Sequence, residues 1–140
     1  MEIKRNEATR NRPEGDRVID APYVFADLDA FKEQVKDEKA WEKNDRNGIT
    51  VFKSGNMTIV LTMLKEGAVI KDNTLDGFLT LQVLEGVIRV ETLEGDVDMG
   101  EKQLITFHPC VPHSIEARKD SVLLLISNDV RGPSFEAGVI

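Results

Sequence analysis

Cysteine is nearly missing from this 140-residue chain, with Cys110 the only one. One thiol excludes an internal disulfide framework and suits a reducing compartment, so the cytoplasm is the expected location. Long apolar runs are also missing. The longest, Val122 to Ile126, is far short of a membrane span. The opening Met1-Glu2-Ile3-Lys4-Arg5-Asn6-Glu7 lacks the apolar stretch of a secretory leader. No membrane partner is expected. Basic charge is in short supply too: 18 Lys and Arg stand against 25 Asp and Glu, for a net charge of −7. Phosphate backbones are bound by neutralising their charge, so this balance argues against a nucleic-acid partner. The one basic cluster, Lys4, Arg5, Arg10, Arg12 and Arg17, is interleaved with Glu2, Glu7, Glu14 and Asp16. That pattern reads as a solvated arm.

What the chain does contain is enough apolar material for one ordinary domain, 41% hydrophobic against 31% charged. Three stretches organise it. Residues 1–45 form an N-terminal arm, a short extended strand (Val18 to Phe25) and a helix. The helix starts at an N-cap Asp27 or Asp29 and runs to about Lys39. Leu28, Phe31 and Val35 recur at spacings of three and four, one narrow apolar stripe that predicts a helix laid on the outside of a larger body. Residues 1–17 carry little apolar material and are expected to be mobile or loosely docked.

Residues 46–130 have a different texture, with short apolar runs cut by turns such as Ser54-Gly55-Asn56, Lys65-Glu66-Gly67, Glu85-Gly86 and Glu94-Gly95-Asp96. Many short strands with regular turn signals indicate an all-β sandwich or barrel. Residues 131–140 form a tail. Two runs, Met57 to Leu64 and Val122 to Ile126, are apolar on both faces and need cover on both sides. Barrel interior supplies one cover. The other is the N-terminal helix or a second subunit, so a homodimer is the expected assembly.

The stretch from Gly67 to Ile126 resembles the cupin superfamily. That family's first motif reads G-x5-H-x-H-x3-E-x6-G. Gly67 and Gly86 stand at its ends with the right separation, and Leu84-Glu85-Gly86 matches its closing turn. Its two histidine positions fall on Asn73 and Leu75, and its glutamate position on Leu79. The second motif, roughly G-x5-P-x-G-x2-H, places Lys102 and Cys110 at its glycines, His108 at its proline, and His113 at its histidine. The resemblance implies a double-stranded β-helix, a jelly-roll barrel with one N-terminal helix packed outside.

The departures concern chemistry. The family holds a divalent metal on the face to which positions 73, 75 and 79 belong, and such a site generally needs about three protein ligands. Leucine offers no lone pair, Asn73 is a weak donor, and His113 alone cannot hold a metal against water. No metal and no other cofactor is therefore expected. His108-Pro109-Cys110-Val111-Pro112-His113 contains an alternative set of soft ligands, but prolines on either side of Cys110 leave the three free to face apart. Asp72 and Asp76 are out of phase with the inward set and should face solvent.

His113 and Asn73, with Leu75, Leu79, Met63 and Cys110, are the candidate pocket residues. His113 reads either as a hydrogen-bonding or proton-transfer group, or as an interior histidine satisfied by a neighbour. Cys110 reads as a small semi-buried residue at a glycine position. Met63, Leu75, Leu79, Leu81 and Val90 read as barrel filling that could also line an apolar cavity. Trp41 belongs at a barrel end or an interface.

The leading functional expectation is a cupin-like protein binding a small organic molecule, with the standard metal site lost. Three alternatives stand beside it. One is a metal-dependent dioxygenase or isomerase using His108, Cys110 and His113 with an acidic residue from the rim. Another is a metal-free, epimerase-like enzyme with His113 as base. The third is a barrel filled with side chains in a purely structural or regulatory domain. Whether the protein is an enzyme is left open.

Overall fold

The structure is a computed structural model that describes residues 1–73 and 75–129, with Asp72 and Asn73 described by their backbone alone. The chain runs β1 (Lys4–Asn6), β2 (Arg17–Asp20), α1 (Leu28–Asp37), α2 (Lys39–Lys43), β3 (Arg46–Lys53), β4 (Met57–Leu64), β5 (Val69–Asn73), β6 (Gly77–Glu85), β7 (Ile88–Thr92), β8 (Gly95–Met99), β9 (Leu104–Phe107), β10 (His113–Ala117) and β11 (Ser121–Asp129). β1 and β2 form a hairpin. The remaining strands form two antiparallel sheets, ordered β5-β10-β7-β8 and β3-β4-β11-β6-β9. This is the mostly-β body that the turn spacing predicted, in the two-sheet arrangement that the cupin resemblance implied.

Register explains which residues meet between the sheets. Leu123 pairs with Val83 and Leu125 with Leu81 across β11 and β6, while Leu81 and Leu79 pair with Ile105 and Phe107 across β6 and β9. Residues two apart share a face, so these side chains all point inward. They meet Ile88 and Val90 of β7, Met99 of β8, and Ile115 and Ala117 of β10 in one buried cluster. Leu79, Leu81 and Val90 thus fill the interior, as expected of them.

The alternate residues of the five-stranded sheet face the other way and build a second apolar layer. Val35 of α1 packs there with Ile49, Val51, Leu61, Met63 and Val122, flanked by Leu28, Phe31 and Trp41. Helix α1 therefore supplies the second cover for β4 and β11 over this part of the sheet. Asp27 caps the helix, its carboxylate accepting from the backbone N–H groups of Asp29 and Ala30. Trp41 lies at the edge of this layer with the Lys65 ammonium 5.0 Å above its ring.

Three local expectations change. Met63 was placed among the inward set, but it belongs to the outer layer beneath α1. The helix expected to reach Lys39 stops at Asp37, and a second, five-residue helix begins after Glu38, whose ψ of 149° breaks the turn. The N-terminal arm is fastened. Arg12 donates through Nε and Nη2 to the two oxygens of Glu38, each at 2.8 Å, and Nη2 also reaches the Gly48 carbonyl at 2.6 Å. Arg17 donates through Nε and Nη2 to the Thr50 carbonyl at 3.0 and 2.8 Å. Thr74 and the tail at 131–140 lie outside the described residues.

Candidate functional site

The family-matched positions converge at one end of the barrel. His113 opens β10 and pairs through its Cα with Asn73 of β5 on one side and Thr92 of β7 on the other. Phe107 closes β9 opposite Leu79 of β6. Between the two sheets the imidazole of His113 and the ring of Phe107 stack, with centroids 4.0 Å apart and planes within 5°. Leu79 is buried behind them, and Leu75 is half-buried against the same cluster. The inner wall here is thus carbon, apart from one imidazole and the position of Asn73, whose side chain is outside the described set.

His113 is only 4% exposed, and its Nδ1 lies 3.0 Å from the Val111 carbonyl oxygen. A carbonyl only accepts, so Nδ1 carries the proton, and in the neutral ring Nε2 holds the lone pair. The turn that brings this carbonyl into place is fixed by backbone geometry. Cys110 adopts a left-handed φ of 64°, and its N–H donates to the Leu75 carbonyl at 2.7 Å. Among the described residues the only non-glycine positions with positive φ are Lys102 (φ 70°) and Cys110. These are the two positions at which the second motif carries glycine. Left-handed backbone thus falls at both glycine positions of that motif, on residues that are not glycine.

The structure separates the three soft ligands. His113 is inside. His108 is exposed and tilts at 59° against Phe78, centroids 5.0 Å apart, on a residue out of phase with the inward Leu79. Cys110, expected to be semi-buried, is exposed, and its Sγ lies 3.6 Å from Asp76 Oδ1. An outward Cβ at the tip of the turn accounts for that difference. Asp76 is exposed as its phase requires. Among the described residues no group of three or more His, Cys, Asp or Glu is placed to hold a metal ion. The divalent cation typical of the fold family requires about three donors, and Leu75 and Leu79 supply none, so these residues do not fit it.

Comparison with solved structures identifies the architecture. The structure matches a cupin superfamily protein from Desulfitobacterium hafniense (TM-score 0.60, 15% identity, 61% of this chain and 79% of that one). It also matches an RmlC-like cupin from Shewanella frigidimarina (TM-score 0.58, 14% identity, 62% and 78%). A third match is TT1209 from Thermus thermophilus (TM-score 0.64, 18% identity, 76% and 98%). No family model and no curated protein matches the sequence. The chain has a cupin fold. At these identities the likeness concerns fold, and function has to be argued from the site. Among the described residues no helix is long and apolar enough to cross a membrane.

Proposed function

We propose that this cupin-fold protein binds a small organic molecule at the His113 end of its barrel and does so without a resident metal. One observation carries the reading: leucines occupy two of the inward positions that would supply metal donors, while the lone histidine is kept, oriented and stacked on Phe107. A wall on which His113 is, among the described side chains, the one hydrogen-bonding group favours a compact ligand with a largely apolar body and few polar groups. Because His113 is nearly buried, entry requires displacing the turn that ends at Pro112. The bond from the Cys110 N–H to the Leu75 carbonyl, with the Cys110 Sγ contact to Asp76, ties that turn to the barrel. A cytoplasmic setting goes with this reading, since the exposed Cys110 would be open to oxidation elsewhere.

Two measurements test it. Elemental analysis of protein purified without chelator should find far less than one equivalent of iron, zinc, manganese or nickel per chain. A thermal-shift screen of small apolar carboxylic acids and nucleotide sugars should find its stabilising compounds among the acids, with the shift lost in His113→Ala. A stoichiometric metal, or stabilisation by a nucleotide sugar alone, defeats the proposal.

A second reading, metal-free proton transfer, is favoured by the fixed tautomer of His113, which leaves Nε2 as the basic atom. It predicts turnover of a stabilising compound that disappears in His113→Gln. Binding of that compound without any turnover decides for the first reading.

A further inference from the structure

A cavity of about 570 Å³ lies outside the barrel, between the N-terminal arm and the starts of α2 and β3. Its charged walls are Arg5, Arg12 and Arg17 against Glu7 and Glu38. Arg5 is paired at the surface with Asp16. The other two arginines sit deeper, the side chain of Arg12 being 23% exposed and Arg17 half-buried. Their charges do not balance. Arg12 takes both oxygens of Glu38, while Arg17 is held by the backbone carbonyls of Gly15 and Thr50 alone. Burial, and then the neighbouring Arg12 cation, hold the Arg17 guanidinium below the usual arginine value, with Glu38 opposing them. Donors are left over as well. Among the described residues, Arg12 Nη1 and the side-chain amides of Asn6 and Asn11 have no acceptor, and all three residues line the cavity. No buried side-chain nitrogen of a described, non-exposed residue lacks a partner, so Arg12 Nη1 reaches open space. Register places Asn6 of β1 opposite Arg17 of β2.

We propose that this cavity is a binding site for a small oxyanion, a phosphate or carboxylate group, held by Arg12 and Arg17 with Asn6 and Asn11 beside them. A half-buried cation that no carboxylate neutralises has lost hydration that an anion restores. The planar guanidinium fork matches the oxygens of phosphate and carboxylate, and such charge-assisted bonds are the strong ones. Both forks are also set before a ligand arrives, Arg12 by Glu38 and the Gly48 carbonyl, Arg17 by the two carbonyls that hold it. The net charge of −7 that argues against a nucleic-acid backbone weighs little on a small anion lodged here, because charges beyond about 8 Å are screened at physiological ionic strength. Glu7 is the repulsive part of the wall. The site shares no residue with the His113 end of the barrel, so neither reading depends on the other.

The test is calorimetric titration of the whole chain with inorganic phosphate and, separately, with acetate, at an ionic strength held constant with chloride. Millimolar probe stays below the concentrations at which phosphate stabilises proteins by exclusion from their surface. The expected result is saturable binding of at least one probe, at one site per chain. Arg17→Gln, which keeps a donor for the Thr50 carbonyl, should weaken it at least about tenfold. Lys53→Gln removes the same charge from an exposed residue at the far end of β3 and should weaken it less than about twofold. Glu7→Gln alters an exposed side chain that bonds to nothing among the described residues, and should tighten binding about two- to fivefold. Phosphate binding with acetate silent assigns a phosphoryl ligand, and binding of both assigns oxyanions at large. No saturable binding of either probe overturns the proposal. So does equal weakening by Arg17→Gln and Lys53→Gln, or binding that Glu7→Gln leaves unchanged or weaker.

Discussion

The imidazole of His113 lies flat on the ring of Phe107, 4.0 Å from centroid to centroid, and joins the two sheets where the barrel holds its candidate site. Phe107 is 6% exposed, so its removal opens a cavity as well as ending the stack. Phe107→Ala should lower the unfolding free energy by about 3–5 kcal/mol. Phe107→Leu keeps most of the apolar volume and should cost clearly less, the lost stack accounting for about 0.5–1.5 kcal/mol of it. Urea denaturation compares the two. A Phe107→Leu loss indistinguishable from zero would show that the ring geometry contributes nothing beyond bulk.

Acid stability should report on the joint between the arm and the helices. The side chain of Glu38 is 8% exposed. Burial pushes its carboxyl upward, but hydrogen bonds from Arg12 and Asn47 and the charge of Arg12 outweigh this and hold it below the usual glutamate value. A carboxyl depressed in the folded state contributes stability above its unfolded pKa of about 4.5, and that contribution fades as pH falls through the folded value. Wild type should therefore lose melting temperature more steeply than Glu38→Gln on acidification below about pH 4.5. Above that pH the variant should be uniformly less stable. Parallel melting curves from neutral to acid pH would disprove a role for this carboxylate.

The two glycines that frame the first motif serve different needs. Both adopt positive φ, 91° at Gly67 and 94° at Gly86. A Cβ at Gly67 would meet nothing within 4 Å, so Gly67→Ala pays only the left-handed backbone penalty of about 1–2 kcal/mol. A Cβ at Gly86 would collide with Ser121 Oγ and lie 2.5 Å from the Asp120 carbonyl oxygen. Gly86→Ala should cost at least about 1–3 kcal/mol more, the range seen for overpacking. Equal losses in denaturation midpoint would mean that the β10–β11 turn yields freely to the added methyl.

The barrel was legible in the sequence because its strands are short, apolar and bounded by turns. What escaped was phase and edge. Met57 to Leu64 is apolar at successive positions, so nothing in the run says which residues face in. A shift of one reverses every side chain, and Met63 belongs to the outer layer for that reason. β8 escaped because four of its five residues are exposed at a sheet edge, and Gly95-Asp96-Val97-Asp98 reads as turn. β1 is held by pairing with β2, and the arm by Arg12 and Arg17 reaching carbonyls more than thirty residues away, contacts that local pattern cannot show. At the site, motif spacing placed His113 and Leu79 at the same end, and Leu75 against the same cluster. It did not find Phe107, though alternation from Ile105 in the run Leu104 to Phe107 carried that signal. Exposure of Cys110 was hidden because it follows from the turn's backbone, not from the residue type.

That backbone yields a prediction of opposite signs at one position. Lys102 and Cys110 hold left-handed conformations at the two places where the resembled motif has glycine. Replacing either by glycine removes about 1–2 kcal/mol of strain, against about 0.4–1 kcal/mol from the greater freedom of glycine in the unfolded chain. Lys102→Gly and Cys110→Gly should each be neutral or stabilising by up to about 1.6 kcal/mol. Cys110→Val places a β-branched residue in the same conformation and should destabilise by about 1–3 kcal/mol. The thiol itself is exposed, and among the described residues it has only the 3.6 Å contact to Asp76 to lose, so the two substitutions differ chiefly in backbone preference. Urea midpoints at unchanged slope would read the difference directly. If Cys110→Gly unfolded earlier than wild type while Cys110→Val did not, the turn beside His113 would be held by the side chain at its tip, and the strain argument would fail.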